Sequence, residues 1–165
     1  MKNTHHYLET VRNGVIAGAA GGLTEIAWVT LYAGVTGSNA VILARGVTTA
    51  AGVSALLPAY PATLGVVVHM AFAVALGIAL AFAWRILSSH RSEAVSPFPF
   101  MFIALTGVWA VNFLVVLPLV SPAFISLVPF PVSLISKVLF GLAAAEVFRR
   151  LDASALHARQ ARLCA

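Results

Sequence analysis

The sequence predicts an all-α fold: a bundle of four transmembrane helices, with a short interfacial or re-entrant helix at about 40–60. Three observations predict it. The chain has 165 residues, of which 61% are hydrophobic and only 9% charged, whereas a soluble domain carries about 25% charged residues. Its mean hydropathy is +0.97. Four separate runs reach the roughly 20 apolar residues that cross a hydrocarbon core of about 30 Å. So few charges cannot coat a surface facing water, and lipid is the expected solvent.

The first run is about 14–35, "GVIAGAAGGLTEIAWVTLYAGV". It follows about a dozen polar residues and is too long for the apolar region of a signal peptide, so a retained span is expected. The second is about 62–87, the third about 98–120 and the fourth about 129–148. Prolines punctuate the limits: Pro58 and Pro61, Pro97 and Pro99, Pro118 and Pro122, Pro129 and Pro131. Proline suits a helix start and opposes its continuation; Pro118 alone falls where it would kink the last turn of a span. Residues 40–60, "AVILARGVTTAAGVSALLPAY", are apolar enough to touch lipid but carry Arg45-Gly46 and several hydroxyls. That composition favours an interfacial or re-entrant helix over a fifth span. Residues 1–148 thus form one transmembrane domain, followed by a basic tail at 149–165 suited to anionic headgroups.

The net charge of +5 is a topology signal and does not point to nucleic acid, because the cations sit at the ends of apolar runs and form no stripe. Of the ten Lys and Arg, eight fall on one side: Lys2, Arg12, Arg85, Arg91, Arg149, Arg150, Arg159 and Arg162. Lys137 lies inside a span and Arg45 is alone on the other side. The positive-inside rule then puts both termini in the cytoplasm of a bacterial-type inner membrane. Cys164 is the single cysteine, which excludes an internal disulfide and, beside the C-terminus, suits a plain thiol.

Each span carries one strongly polar residue. Gly14, Gly18 and Gly22 recur every four residues and make a smooth stripe for close helix approach. Glu25 continues that face. Gly65, His69, Ala73 and Gly77 share a face of the second span, and Ser133, Lys137 and Gly141 one of the fourth; Asn112 lies one turn from Trp109 in the third. Glu25 lies about 12 Å from the outer membrane edge, His69 about 10 Å, and Asn112 and Lys137 about 12 Å each, at 1.5 Å per residue. A charge near a helix centre costs about 2.5–3.5 kcal/mol on insertion scales. The expectation is that Glu25 pairs with Lys137, with His69 and Asn112 hydrogen-bonded to the pair. Side chains lean toward a helix N-terminus, which would separate the tips and would let Lys137 snorkel to the surface alone.

Four readings of this layer compete: a pair that only fixes helix register, a proton, ion or solute site, a contact with a partner subunit, and a His69 metal or haem site. A b-type haem wants two axial ligands, and Met70 points about 100° away from His69, the angular step of a helix with 3.6 residues per turn. "GAAGG" lacks the strand-to-helix setting of a dinucleotide fingerprint. His5-His6 belong to a solvated tail, and Glu146 suits an i,i+3 or i,i+4 pair with Arg149 and Arg150. "GIALAFAWR" (77–85) parallels "GLAAAEVFR" (141–149), a faint sign that the first helix pair duplicates the second.

The order of these features resembles a group of small bacterial four-helix integral membrane proteins without an assigned activity. The resemblance rests on the glycine-rich first helix, Arg45-Gly46 in the outer connection, His69 with Gly77 eight residues on, "VLPLVSP" at 116–122 and Phe-Gly at 140–141. It covers most of the chain. Where that group has a histidine in the fourth helix, this chain has Lys137. Two histidines would hold a metal or haem; His and Lys are a poorer set.

The leading functional expectation is non-enzymatic: an accessory or assembly subunit of a larger membrane complex, with a respiratory complex the first candidate, partnered by lipid and by other subunits or copies of itself. No cofactor is expected first. The alternatives are a proton, ion or small-solute translocating protein that uses Glu25, His69 and Lys137, and a haem or quinone anchor.

Overall fold

In the computed structural model every regular element is helical among the described residues, which are 2–89 and 96–163, with side chains for 6–89 and 96–154. Arg91 and Cys164, and the side chains of Lys2, His5, Arg159 and Arg162, lie outside that set. The order is α1 (Lys2–Thr36), α2 (Ala40–Ala50), α3 (Pro61–Ser89), α4 (Pro97–Val111), a π-helical turn (Asn112–Val116), α5 (Leu117–Val120), α6 (Pro122–Leu127) and α7 (Phe130–Leu163). Four stretches are long and apolar enough to cross a membrane: His6–Thr36, Pro61–Ser89, Pro97–Val120 and Phe130–Ser154.

Local chemistry sets these limits. Gly37 and Gly52 take positive φ, 69° and 70°, and stop α1 and α2 as a left-handed residue beyond a helix end does. Asn39 caps α2 by accepting from the Val41 amide, and Ser96 caps α4 ahead of Pro97. Pro61 and Pro122 open α3 and α6. Pro118 stands inside the third span. It has no amide to give the Leu114 carbonyl, and its ring would crowd that oxygen. The chain answers with the π turn just upstream, where the Leu117 amide donates to the Asn112 carbonyl five residues back.

Two helices run beyond their expected limits. α1 begins at Lys2 instead of 14, and its polar part from His6 to Thr10 docks on α3. Arg85 donates to the His6 carbonyl (2.8 Å) and to Thr10 Oγ1 (2.9 Å), and its guanidinium lies 5.5 Å from the Tyr7 ring centroid. α7 continues without a break through the basic tail to Leu163, so that tail is an extension of the fourth span. Its Glu146 pairs with both Arg149 and Arg150.

α1 is central, packed against α3 on one side and α7 on the other, while α4 lies on α7. The α1–α3 contact is the glycine stripe. A Cβ added to Gly18 would meet the Ala73 carbonyl oxygen at 2.5 Å, and one on Gly77 would run into Gly18 Cα. Gly141 faces Leu105 on α4, so each glycine of the paired nonapeptides touches the span that precedes it. Phe140 sits against Gly21 and Lys137 against Glu25, which makes α1 and α7 antiparallel. The N-terminal end of α1 and the C-terminal half of α7 therefore share one end of the bundle.

At that end one core holds Ala17, Leu80, Trp84, Met101, Leu105, Phe140 and Phe148. At the other a smaller core of Ala33, Leu43, Val128 and Val132 joins α1, α2 and α7. α2 has 11 residues, about 16 Å at 1.5 Å per residue and half a membrane span. It is pressed onto α3, where a Cβ on Gly65 would run into the Ala44 carbonyl oxygen.

Candidate functional site

Three of the expected polar residues, Glu25, His69 and Lys137, lie between the two cores. Glu25 Oε1 accepts from Lys137 Nζ at 2.6 Å and from Ser136 Oγ at 3.2 Å. The Glu25 side chain is 3% exposed and that of Lys137 18%. α1 presents the carboxylate on its glycine face, and α7 presents Ser136 and Lys137 in succession. Phe140, one turn on, lies 5.8 Å below the ammonium; Gly21 leaves the space its ring fills. Lys137 thus reaches Glu25 and does not snorkel away.

His69 joins them from α3. Its Nε2 lies 3.5 Å from Glu25 Oε2, a separation too long for a good hydrogen bond. That nitrogen is buried with no hydrogen-bond partner among the described residues. The expected hydrogen bond from His69 to the pair is therefore replaced by juxtaposition.

Asn112 does not join. Among the described residues its side chain makes no hydrogen bond to Glu25, His69 or Lys137, and it begins the π turn. The residue of the third span that reaches α7 is Trp109, whose Nε1 donates to Ser133 Oγ at 2.9 Å. Ser133 donates in turn to the Phe130 carbonyl. Trp28 on α1 donates to the Val132 carbonyl at 3.0 Å. The two indoles thus fasten α1 and α4 to the first turns of α7. Arg45 is also elsewhere: exposed on α2, it lines a groove with Ser121 and Phe124 of the α5–α6 corner.

Ser136 was not singled out in the sequence. A serine in a membrane helix is common, and only its place one residue before Lys137 set it beside the carboxylate.

Glu25, His69, Ser136 and Lys137 form one polar end of a partly enclosed cavity of about 340 Å³. The rest of its wall is largely hydrocarbon, from Val29 on α1, Val41, Leu43 and Val47 on α2, Val66 on α3, Phe113 in the π turn, Phe124 on α6 and Val128. Such a volume lies in the lower part of the roughly 300–1,000 Å³ range of small-molecule sites, which are mostly apolar with a few convergent polar groups. Among the described residues no three His, Cys, Asp or Glu side chains group as a metal site. Comparison with protein-family models, curated proteins and solved structures finds no match to this chain.

Proposed function

We propose that this chain is a non-enzymatic membrane protein that takes up a small, largely apolar solute in the cavity ending at Glu25, His69 and Lys137. This is the small-solute form of the translocation reading. The observation that carries it is the union of a hydrocarbon-walled space with three convergent ionisable groups inside a four-span bundle. Intramembrane ionisable residues mark substrate pathways by default. Simple ion passage is less well supported, because Glu25 and Lys137 already neutralise each other.

The test is extraction of small molecules from the purified chain. Val47→Trp and Val66→Trp fill the space from two walls. The wild type should release a compound that both variants lack, while all three remain folded. Identical extracts from the three would contradict the proposal.

An accessory role in a larger complex is supported by a different observation. Leu56 and Tyr60, in the segment between α2 and α3, are 70% and 65% exposed. They offer an apolar surface outside the spans, suited to a partner subunit or the membrane interface. Cross-linking from that segment in native membranes tests it; cross-links to lipid alone would count against a partner. The bacterial inner membrane and cytoplasmic termini complete the proposal. Arg12 near the start of α1, Arg85 near the end of α3, and Arg149 and Arg150 on α7 gather at the end opposite Arg45, as the positive-inside rule expects.

A further inference from the structure

The cavity's polar end specifies a ligand chemistry, an argument that rests on the solute-binding reading above. Glu25 uses its two oxygens unequally. Oε1 is occupied by Lys137 and Ser136. Oε2 accepts no hydrogen bond among the described residues and faces His69 Nε2 at 3.5 Å. An ionised carboxylate can only accept, so whatever completes Oε2 must donate. His69 Nε2 is the second unpartnered atom, and it accepts or donates according to tautomer.

A hydroxyl serves both cases. It donates to Oε2 and offers its own oxygen to an Nε2–H, or it is shared between two acceptors. A ketone, ether or ester has no proton for Oε2. A cation has the proton but brings a third charge to a carboxylate that Lys137 already balances at 2.6 Å. In a low-dielectric site an uncompensated charge is expensive.

We infer that the site takes a neutral hydroxylated hydrocarbon, an alkylphenol or apolar alcohol, whose O–H enters between Glu25 Oε2 and His69 Nε2 and whose hydrocarbon lies against the wall formed by α2 and α3.

The test compares 4-hexylphenol with 4-hexylanisole, its methyl ether, as binding isotherms on the full chain in nanodiscs, each referenced to empty nanodiscs. The phenol should bind at least tenfold more tightly. In the double variant Glu25→Gln/Lys137→Met, which removes both charges together and keeps the helices neutral, that preference should fall to about twofold or less. The ether's affinity should change little. His69→Phe should reduce the preference in the same direction. If phenol and ether bind the wild type equally, or if the double variant keeps the full preference, the donor assignment is overturned while solute binding stands. If neither compound binds and Val47→Trp changes nothing, both the assignment and the reading beneath it fail.

Discussion

Glu25 on α1 and Lys137 on α7 stand 112 residues apart in the chain and meet at 2.6 Å. Each answers for the other's presence. A lone charge near the middle of a span costs about 2.5–3.5 kcal/mol on insertion scales, and the two sit where lipid and protein offer little else to neutralise them. Ser136 adds a hydrogen bond to the same oxygen, and the Phe140 ring lies beneath the ammonium. The pair therefore ties the central helix to the last one and also provides the only charged groups in the cavity wall among the described residues.

The α1–α3 contact depends on missing side chains. Gly18→Leu or Gly77→Leu would drive carbon into opposing backbone, which cannot give way as a side-chain tip can. Overpacking of this kind costs about 1–3 kcal/mol and occasionally more. Both variants should lose the monodisperse folded species in detergent at temperatures the wild type survives. Gly34→Leu and Gly107→Leu, where an added Cβ meets nothing within 4 Å, should behave as wild type on size-exclusion chromatography after heating.

Trp28→Phe and Trp109→Phe each keep an aromatic ring but delete one hydrogen bond to the start of α7. Hydrogen bonds between membrane helices average about 0.6 kcal/mol and reach about 1.7. Each substitution should lower unfolding stability by that order. The acceptors Val132 and Ser133 are adjacent on α7, so the double variant should depart from the sum of the two losses by about 0.5 kcal/mol or more.

Arg85→Met should fray the beginning of α1 and leave the rest intact. Arg85 holds the His6 carbonyl and Thr10, and a hydrogen bond to a charged group is worth about 1.5–3 kcal/mol. Hydrogen exchange over the first turns of α1 should accelerate about tenfold or more, with no change across residues 14–34. Uniform acceleration along α1 would show that Arg85 supports the bundle as a whole.

Sidedness follows from cysteine labelling. In a Cys164→Ser background, Ser38→Cys should react with an impermeant maleimide added to intact cells. Ser154→Cys should react only after permeabilisation. The reverse pattern would invert the proposed topology.

The spans and most of the polar site were legible in the residues. Glu25, His69 and Lys137 could be grouped because buried charges must find partners and because glycine spacing named the inward faces. The limits of the helices were less legible. Lys2–Asn13 has no apolar period, and it is Arg85 of α3 that holds this part of α1 at the His6 carbonyl and Thr10. Asn112 shares the depth of the layer by residue count along the third span, but depth alone does not set a partner, and among the described residues its side chain makes no hydrogen bond to Glu25, His69 or Lys137. The cavity was not legible at all. Its far wall is α2 and α6, two short helices with ordinary apolar sequences, positioned by the contact of Gly65 with Ala44 and of Gly46 with Phe124 and Leu127.

The central claim is that Glu25 and Lys137 stabilise one another across α1 and α7, and a double-mutant cycle measures it most directly. Glu25→Gln and Lys137→Met are made singly and together, and unfolding free energies are read in mild detergent. Each single variant should lose about 3–5 kcal/mol, as when a buried pair is broken from one side. The double variant should be more stable than their sum predicts by about 2 kcal/mol or more, within the range of directly coupled neighbours. Losses that simply add, within about 0.5 kcal/mol, would mean that the two residues act independently, and the paired site described for this bundle would be contradicted.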